Sequence, residues 1–216
     1  MKNSLDSLYL SDIGHTNVKI LKNGELEIIP LSSFSPANFP QKIFYINVNL
    51  QTQQILDKFP NWINIANLIE IDSNYKNLGI DRQVVIFDIE NGIVVDLGTA
   101  ITVDIVKNRK HLGGYILLGK NSTIQAFQNK TSHLKFSDSG KMQNLPNETQ
   151  DALYFGFFHQ LKFFLQSLKE NEGLPVILTG GDSQEFSQLL DFPHILNSKL
   201  IFENMKKIIT LFQSRN

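Results

Sequence analysis

Val94-Val95-Asp96-Leu97-Gly98-Thr99-Ala100-Ile101-Thr102-Val103-Asp104 is the stretch from which the fold can be read. β-Branched Val94 and Val95 suit a buried strand, and Gly98 fits a tight turn that a larger residue would crowd. Ile101 to Asp104 reads as a second strand. Backbone N–H groups and the Thr99 hydroxyl then gather at the turn, flanked by Asp96 and Asp104. Donors for phosphate oxygens thereby meet carboxylates for a cation. One such stretch also fits an ordinary β-hairpin. The layout recurs, however, from Leu8 to Ile20, where a short apolar strand ends in Asp12-Ile13-Gly14, Thr16 follows and a second strand begins. Two such hairpins predict a duplicated α/β unit whose turns face each other across a cleft.

The bulk composition is compatible with this. A chain of 216 residues, 42% hydrophobic and 19% charged, is globular and long enough for one large domain or two small ones. Twenty basic against 21 acidic residues leave no global field to hold nucleic acid or an anionic membrane. The one basic cluster, Lys107-Asn108-Arg109-Lys110, sits where two strands should turn. With no cysteine, disulfides, thiolate zinc sites and a cysteine nucleophile are excluded together. Met1 to Ser7 lacks an apolar core for a signal peptide, and no stretch approaches the ~20 apolar residues of a membrane helix. A soluble cytoplasmic protein is expected.

Further elements follow from local signals. Asn23-Gly24 predicts a hairpin into a third strand at Glu25–Pro30. Residues 32–40 read as a loop, 42–48 as a strand, 51–59 as a short helix stopped by Pro60, and 72–80 as a polar loop. Asp81-Arg82 opens the next element. Asp81 is either an N-cap or, beside a planar five-donor cation, a proton acceptor next to an anion clamp. His111 to Gly119 reads as a strand entered through Gly113-Gly114, followed by a helix over 122–130 and a polar flap over 131–148. The longest helix spans 149–169, with Tyr154, Phe157, Phe158, Leu161, Phe164, Leu165 and Leu168 at helical spacing and Phe155 and Phe163 widening the stripe. Gly156 would allow close approach of a second subunit. A last strand, 175–179, runs into Thr179-Gly180-Gly181-Asp182, whose glycines would let a flat ring lie on the backbone. Helices over 184–190 and 202–213 close the chain.

In order, Asp12–Thr16, Gly79–Arg82, Asp96–Asp104, Gly113–Gly119 and Thr179–Asp182 resemble the five motifs of the bacterial type III pantothenate kinases. These belong to the acetate kinase/sugar kinase/Hsp70/actin superfamily. The resemblance implies an α/β, actin-like ATPase fold of two ribonuclease-H-like halves, mixed sheets flanked by helices, with an ATP cleft between them. The halves would be residues 1–92 and 93–216. It implies ATP-dependent phosphorylation of pantothenate, with Asp81 as general base. ATP would be bound by Asp12, Ile13, Gly14, His15, Thr16, Asn17, Val18, Lys19, Thr99, Thr179, Gly180 and Gly181. Pantothenate would be bound by Tyr75, Gly79, Ile80, Asp81, Arg82 and, across a homodimer interface, Thr149. Asp12 would hold Mg2+ through ATP, and Asp96 a monovalent cation, K+ or NH4+.

Three positions depart from the family pattern. His15 replaces Asn in the first hairpin, Leu118 replaces Pro in the Gly-Gly strand, and Gln83 replaces a frequent Trp after Asp-Arg. His111, His133, His159 and His194 lack ligand spacing and read as structural or surface residues. Two other functions fit the same pattern: a kinase of another small hydroxylated substrate, and an inactive homologue serving as a regulator or scaffold, with His15 as its support.

Overall fold

A computed structural model describes residues 8–131 and 145–214. The chain divides into two compact units, Met1–Asp88 with Lys199–Asn216, and Ile89–Ser198.

In the first unit, β1 (Tyr9–Ile13), β2 (Asn17–Lys22) and β3 (Glu25–Pro30) form an antiparallel meander. Asn23 and Gly24 take φ of 51° and 87°, the left-handed pair that a two-residue hairpin turn requires. The chain then crosses to β4 (Ile43–Asn47), parallel to β1, and through helix α1 (Leu50–Leu56) to β5 (Trp62–Asn64), parallel to β4. Asn49 caps α1 by accepting the Thr52 N–H at 3.0 Å. The sheet order is β3-β2-β1-β4-β5. Ile13, Val18, Ile20, Ile43, Tyr45, Leu56 and Trp62 form a core cluster on it. Residues 32–40, expected as loop, contain most of one 3-10 turn (Leu31–Ser33) and all of a second (Pro36–Asn38), and they bring Phe34 and Phe39 edge-on to Trp62. Helices α2 (Ile80–Ile86) and, far on in sequence, α6 (Leu200–Gln213) complete the unit, α6 packing on α2 and β1.

The second unit repeats the plan. β6 (Gly92–Leu97), β7 (Ala100–Lys107) and β8 (Lys110–Leu118) form the meander, with Asn108 and Arg109 at φ 53° and 62° in the last turn. Helices α3 (Lys120–Lys130) and α4 (Thr149–Glu172) follow, then β9 (Val176–Thr179), α5 (Ser183–Ser187) and β10 (His194–Leu196). The order is β10-β9-β6-β7-β8, with β9 parallel to β6. Strand for strand this is the first sheet again. Val95, Leu97, Ile101 and Val103 on one face of the sheet meet Tyr154, Phe155, Phe158, Leu161 and Leu165 of α4. Gly173, at φ 67°, caps that helix.

The expected division at residue 92 differs from the packing in two respects. The units part between Asp88 and Ile89, so the start of β6 lies wholly in the second unit. Residues 199–216 belong with the first unit, because α6 buries its apolar face there. Phe163 is 61% exposed and lies off the core face of α4. The proposed flap falls largely on residues 132–144, which lie outside the described residues, as does His133. Among the described residues no helix is long and apolar enough to cross a membrane.

Candidate active site

In the first unit, β1 delivers Asp12 to its C-terminal end. Antiparallel register sets Lys19 opposite it, and Lys19 Nζ reaches Asp12 Oδ2 at 3.2 Å. The Gly14 N–H donates to the Asn17 carbonyl at 3.0 Å, and a Cβ at Gly14 would sit 3.3 Å from the same oxygen. Glycine therefore fits the turn. His15 and Thr16 are exposed at its tip. Ile13 and Val18 bury their side chains completely, which confines any contact of theirs with a nucleotide to the backbone.

Helix α2 starts from Gly79, not Asp81: Gly79 is the N-cap and Asp81 the second helical residue. The Arg82 N–H donates to Asp81 Oδ1 at 2.8 Å. A Cβ on Gly79 would lie 2.6 Å from that oxygen, so the glycine makes room for the carboxylate. Burial pushes the Asp81 carboxyl above its ordinary range, and the charge of Asp12 pushes the same way. The Arg82 amide and guanidinium oppose both. Arg82 is buried, and its guanidinium lies 4.7 Å from the centre of the Tyr75 ring. Gln83 Nε2 donates to the Leu78 carbonyl at 2.7 Å, tying down the approach to the helix. The unit thus gathers a carboxylate–lysine pair, a second carboxylate favoured toward protonation, and a stacked guanidinium.

In the second unit, Asp96 stands near the C-terminal end of β6, beside Thr179 in the parallel register. Gly180, at φ 91°, closes over it: a Cβ there would come 2.3 Å from Asp96 Oδ1 and 2.5 Å from the Leu97 carbonyl. Thr179 is 2% exposed, while Thr99 and Gly181 are open. At the Gly98-Thr99 turn the crowded glycine is Gly119, the residue through which the strand was expected to end and which a close neighbour was expected to approach. Its Cβ would lie 1.9 Å from the Gly98 carbonyl, whereas a Cβ on Gly98 meets only an ordinary contact at 3.6 Å. Ser122 Oγ also donates to the Thr99 carbonyl at 2.7 Å.

Asp104 does not flank the turn. It pairs with Val94 and Gly114, is 1% exposed, and lies 2.9 Å from His111 Nε2. This is a buried pair inside the sheet, and it makes His111 structural. His194 contacts Ser187 at 2.7 Å, and His159 packs edge-on to Phe163. A network on Glu185, which accepts from Tyr154 Oη at 2.6 Å and from Lys120 Nζ, follows the Thr-Gly-Gly stretch. No spacing could have revealed it, since its members come from α3, α4 and α5. Thr149 is the exposed first residue of α4. Among the described residues no three His, Asp or Glu side chains converge on a metal.

The donor sets nevertheless suit the groups that the motifs imply. The buried Asp12 carboxylate at the end of β1 fits Mg2+ arriving on a nucleotide, since that ion keeps waters and takes few protein ligands. The Asp96 carboxylate near the end of β6 is the oxygen ligand type that suits a hard cation.

Two mixed five-stranded sheets of this repeated order, each led by an Asp-x-Gly hairpin, define the actin-like ATPase class of α/β proteins. The ethanolamine utilization protein EutJ from Carboxydothermus hydrogenoformans shares the fold at a TM-score of 0.51 and 10% identity, over 93% of this chain and 88% of that one. Within that class the chain belongs to the type III pantothenate kinase family, whose model matches residues 40–171. It is 36% identical over 204 residues to the type III pantothenate kinase of Campylobacter jejuni, covering 94% of this chain and 96% of the relative. Identity to the Helicobacter pylori (strain HPAG1) enzyme is 35% over 206 residues, covering 94% and 91%. A Campylobacter jejuni crystal structure, assigned to the Baf family of transcriptional activators, superposes at a TM-score of 0.81 with 34% identity, over 96% of this chain and all of that one.

Proposed function

We propose that this chain transfers the γ-phosphoryl group of ATP to the primary hydroxyl of pantothenate, giving 4′-phosphopantothenate and ADP in the cytoplasm. This is the first step of coenzyme A biosynthesis. The observation that carries the reading is Asp81: a carboxylate in a partly desolvated pocket, displaced toward proton acceptance and braced by Arg82, in a chain of this family. The Asp81 carboxylate takes the hydroxyl proton as the pantothenate oxygen bonds to the γ-phosphorus. The bond from that phosphorus to the bridging oxygen breaks, and ADP leaves. A loose transition state makes alignment and charge neutralisation weigh more than the base.

Gly79, Ile80, Arg82 and Tyr75 form the pantothenate site, with the buried guanidinium suited to the substrate carboxylate. The hairpin from Asp12 to Lys19 takes the phosphates. Thr99 and Thr179 to Gly181 take the rest of the nucleotide. Asp12 would hold Mg2+ through the bound ATP, and that ion would supply neutralising charge. Asp96 holds the monovalent cation, K+ or NH4+.

The active species is a homodimer in which Thr149 completes the partner's pantothenate site. Phe163 (61% exposed), Ile116 (59%) and Leu118 (58%) supply apolar surface for the interface, and among the described residues, apart from its chain neighbours and its own helix backbone, none comes within 4 Å of a Cβ placed on Gly156. A DNA-binding role finds no support in the charge, 20 basic against 21 acidic residues.

The deciding experiment measures ADP release from Mg-ATP with and without pantothenate, in sodium and then in potassium or ammonium buffer. Release that needs pantothenate and rises with the larger cation is expected. ATP binding without release would mean a retired kinase, with His15 the first residue to suspect.

A further inference from the structure

Helix α2 has only seven residues, and a helix that short contributes little stability of its own. Its first turn carries Asp81 and Arg82, while its last turn leaves carbonyls that the helix itself does not fully satisfy. The Asn204 side chain on α6 meets that need. Its Nδ2 donates to the Val84 carbonyl at 2.9 Å and to the Val85 carbonyl at 3.0 Å, reaching across some 120 positions of sequence. The Val84 oxygen also accepts from the Phe87 N–H at 3.2 Å, whereas the tie to Val85 comes from α6. Two facing carbonyls can only accept, which fixes the amide with its nitrogen toward α2.

Asn204 is fully buried, and this orientation leaves its Oδ1 without a hydrogen-bond partner among the described residues. An apolar side chain would carry no such cost, so the cost is offset by what the nitrogen holds. A second tie at the same end, Lys207 Nζ to Asp88 Oδ2 at 2.6 Å, is half exposed and correspondingly weak.

We propose that Asn204 is a positioning residue for phosphoryl transfer, clamping the C-terminal end of α2 so that its first turn presents Asp81 and Arg82 in one fixed geometry. The kinetic part of this inference rests on the function proposed above; the clamp itself does not.

The test uses Asn204→Leu, which removes both donors and the orphaned oxygen at similar volume, and Asn204→Asp, which keeps the shape with no N–H and at most one O–H for two carbonyls. A variant that melts cooperatively with native circular dichroism is carried forward. The expected result is a fall in kcat of about tenfold or more with KM for ATP within about twofold, since a small misplacement of a reacting group is costly. Hydrogen exchange of the amides from Asp81 to Ile86 should also quicken about tenfold or more, with β1 unaffected. An unchanged kcat, or unchanged exchange across α2, overturns the inference, even if the melting temperature drops. If the wild-type protein forms no ADP with pantothenate, the function has failed separately, and exchange across α2 alone decides whether Asn204 is a clamp.

Discussion

The Asp81 carboxylate is driven toward its neutral form by burial and by Asp12, and toward its ionised form by Arg82; the first pair prevails. Folding therefore disfavours the ionised side chain. That penalty is absent below the unfolded value near 3.8 and grows as pH rises through the higher folded value. Asp81→Asn is uncharged at every pH and can still accept the Arg82 N–H. It should lose about 10²–10⁴-fold in kcat. It should also melt above the wild-type protein at pH 8, with the gap closing as pH is lowered toward 4. Thermal melts across that range check the sign, and a variant less stable than wild type at pH 8 would contradict it. The Gly-x-Asp-Arg spacing made this residue legible as the base proposed above. What Gly79 does was not legible, because the clash it avoids depends on the rotamer of a side chain two residues on.

Among the elements, the hairpin turn at Gly98-Thr99 shows how a local signal can name the right place and the wrong atom. Gly98 reads as the turn glycine, yet it is Gly119, at the end of β8, whose missing Cβ lets the strand end lie against that turn. Gly119→Ala should destabilise by roughly 1–3 kcal/mol, the range for forcing an extra carbon into a packed site. Gly98→Ala should cost under about 1 kcal/mol, consistent with its ordinary contact distance. Urea unfolding of the two variants checks the order, and equal losses would refute it. Long or strongly patterned elements such as β3, β7 and α4 were readable from local sequence. Three-residue β5 and β10 were not, since they are too short to show alternation and exist because β4 and β9 offer them parallel partners. Likewise Gly113-Gly114 read as the entrance to a strand. The pairing shift between Ile105 and Val106 instead puts them within β8, beside an irregularity that no single-strand pattern encodes.

At the scale of the whole molecule, the duplication was visible because each copy announces itself within a dozen residues. The assignment of α6 to the first unit was not, because its partners on α2 and β1 lie more than a hundred positions away. The proposed homodimer belongs to this scale too. Phe163→Lys should shift the protein from dimer to monomer in sedimentation velocity while leaving its melting temperature nearly unchanged, since the ring is outside the core. A variant that stays dimeric would place the interface elsewhere. The return of α6 also orders the protein's birth. On the ribosome, residues 199–214 emerge after all of the second unit, which can fold while the first is still waiting for its last helix. A chain released at Ser198 would display Asp12, Asp81 and Asp96 intact, yet α2 would lack the Asn204 amide and the apolar face beneath it. A chain cut there would therefore carry the motifs of the kinase without the support that holds α2 in place.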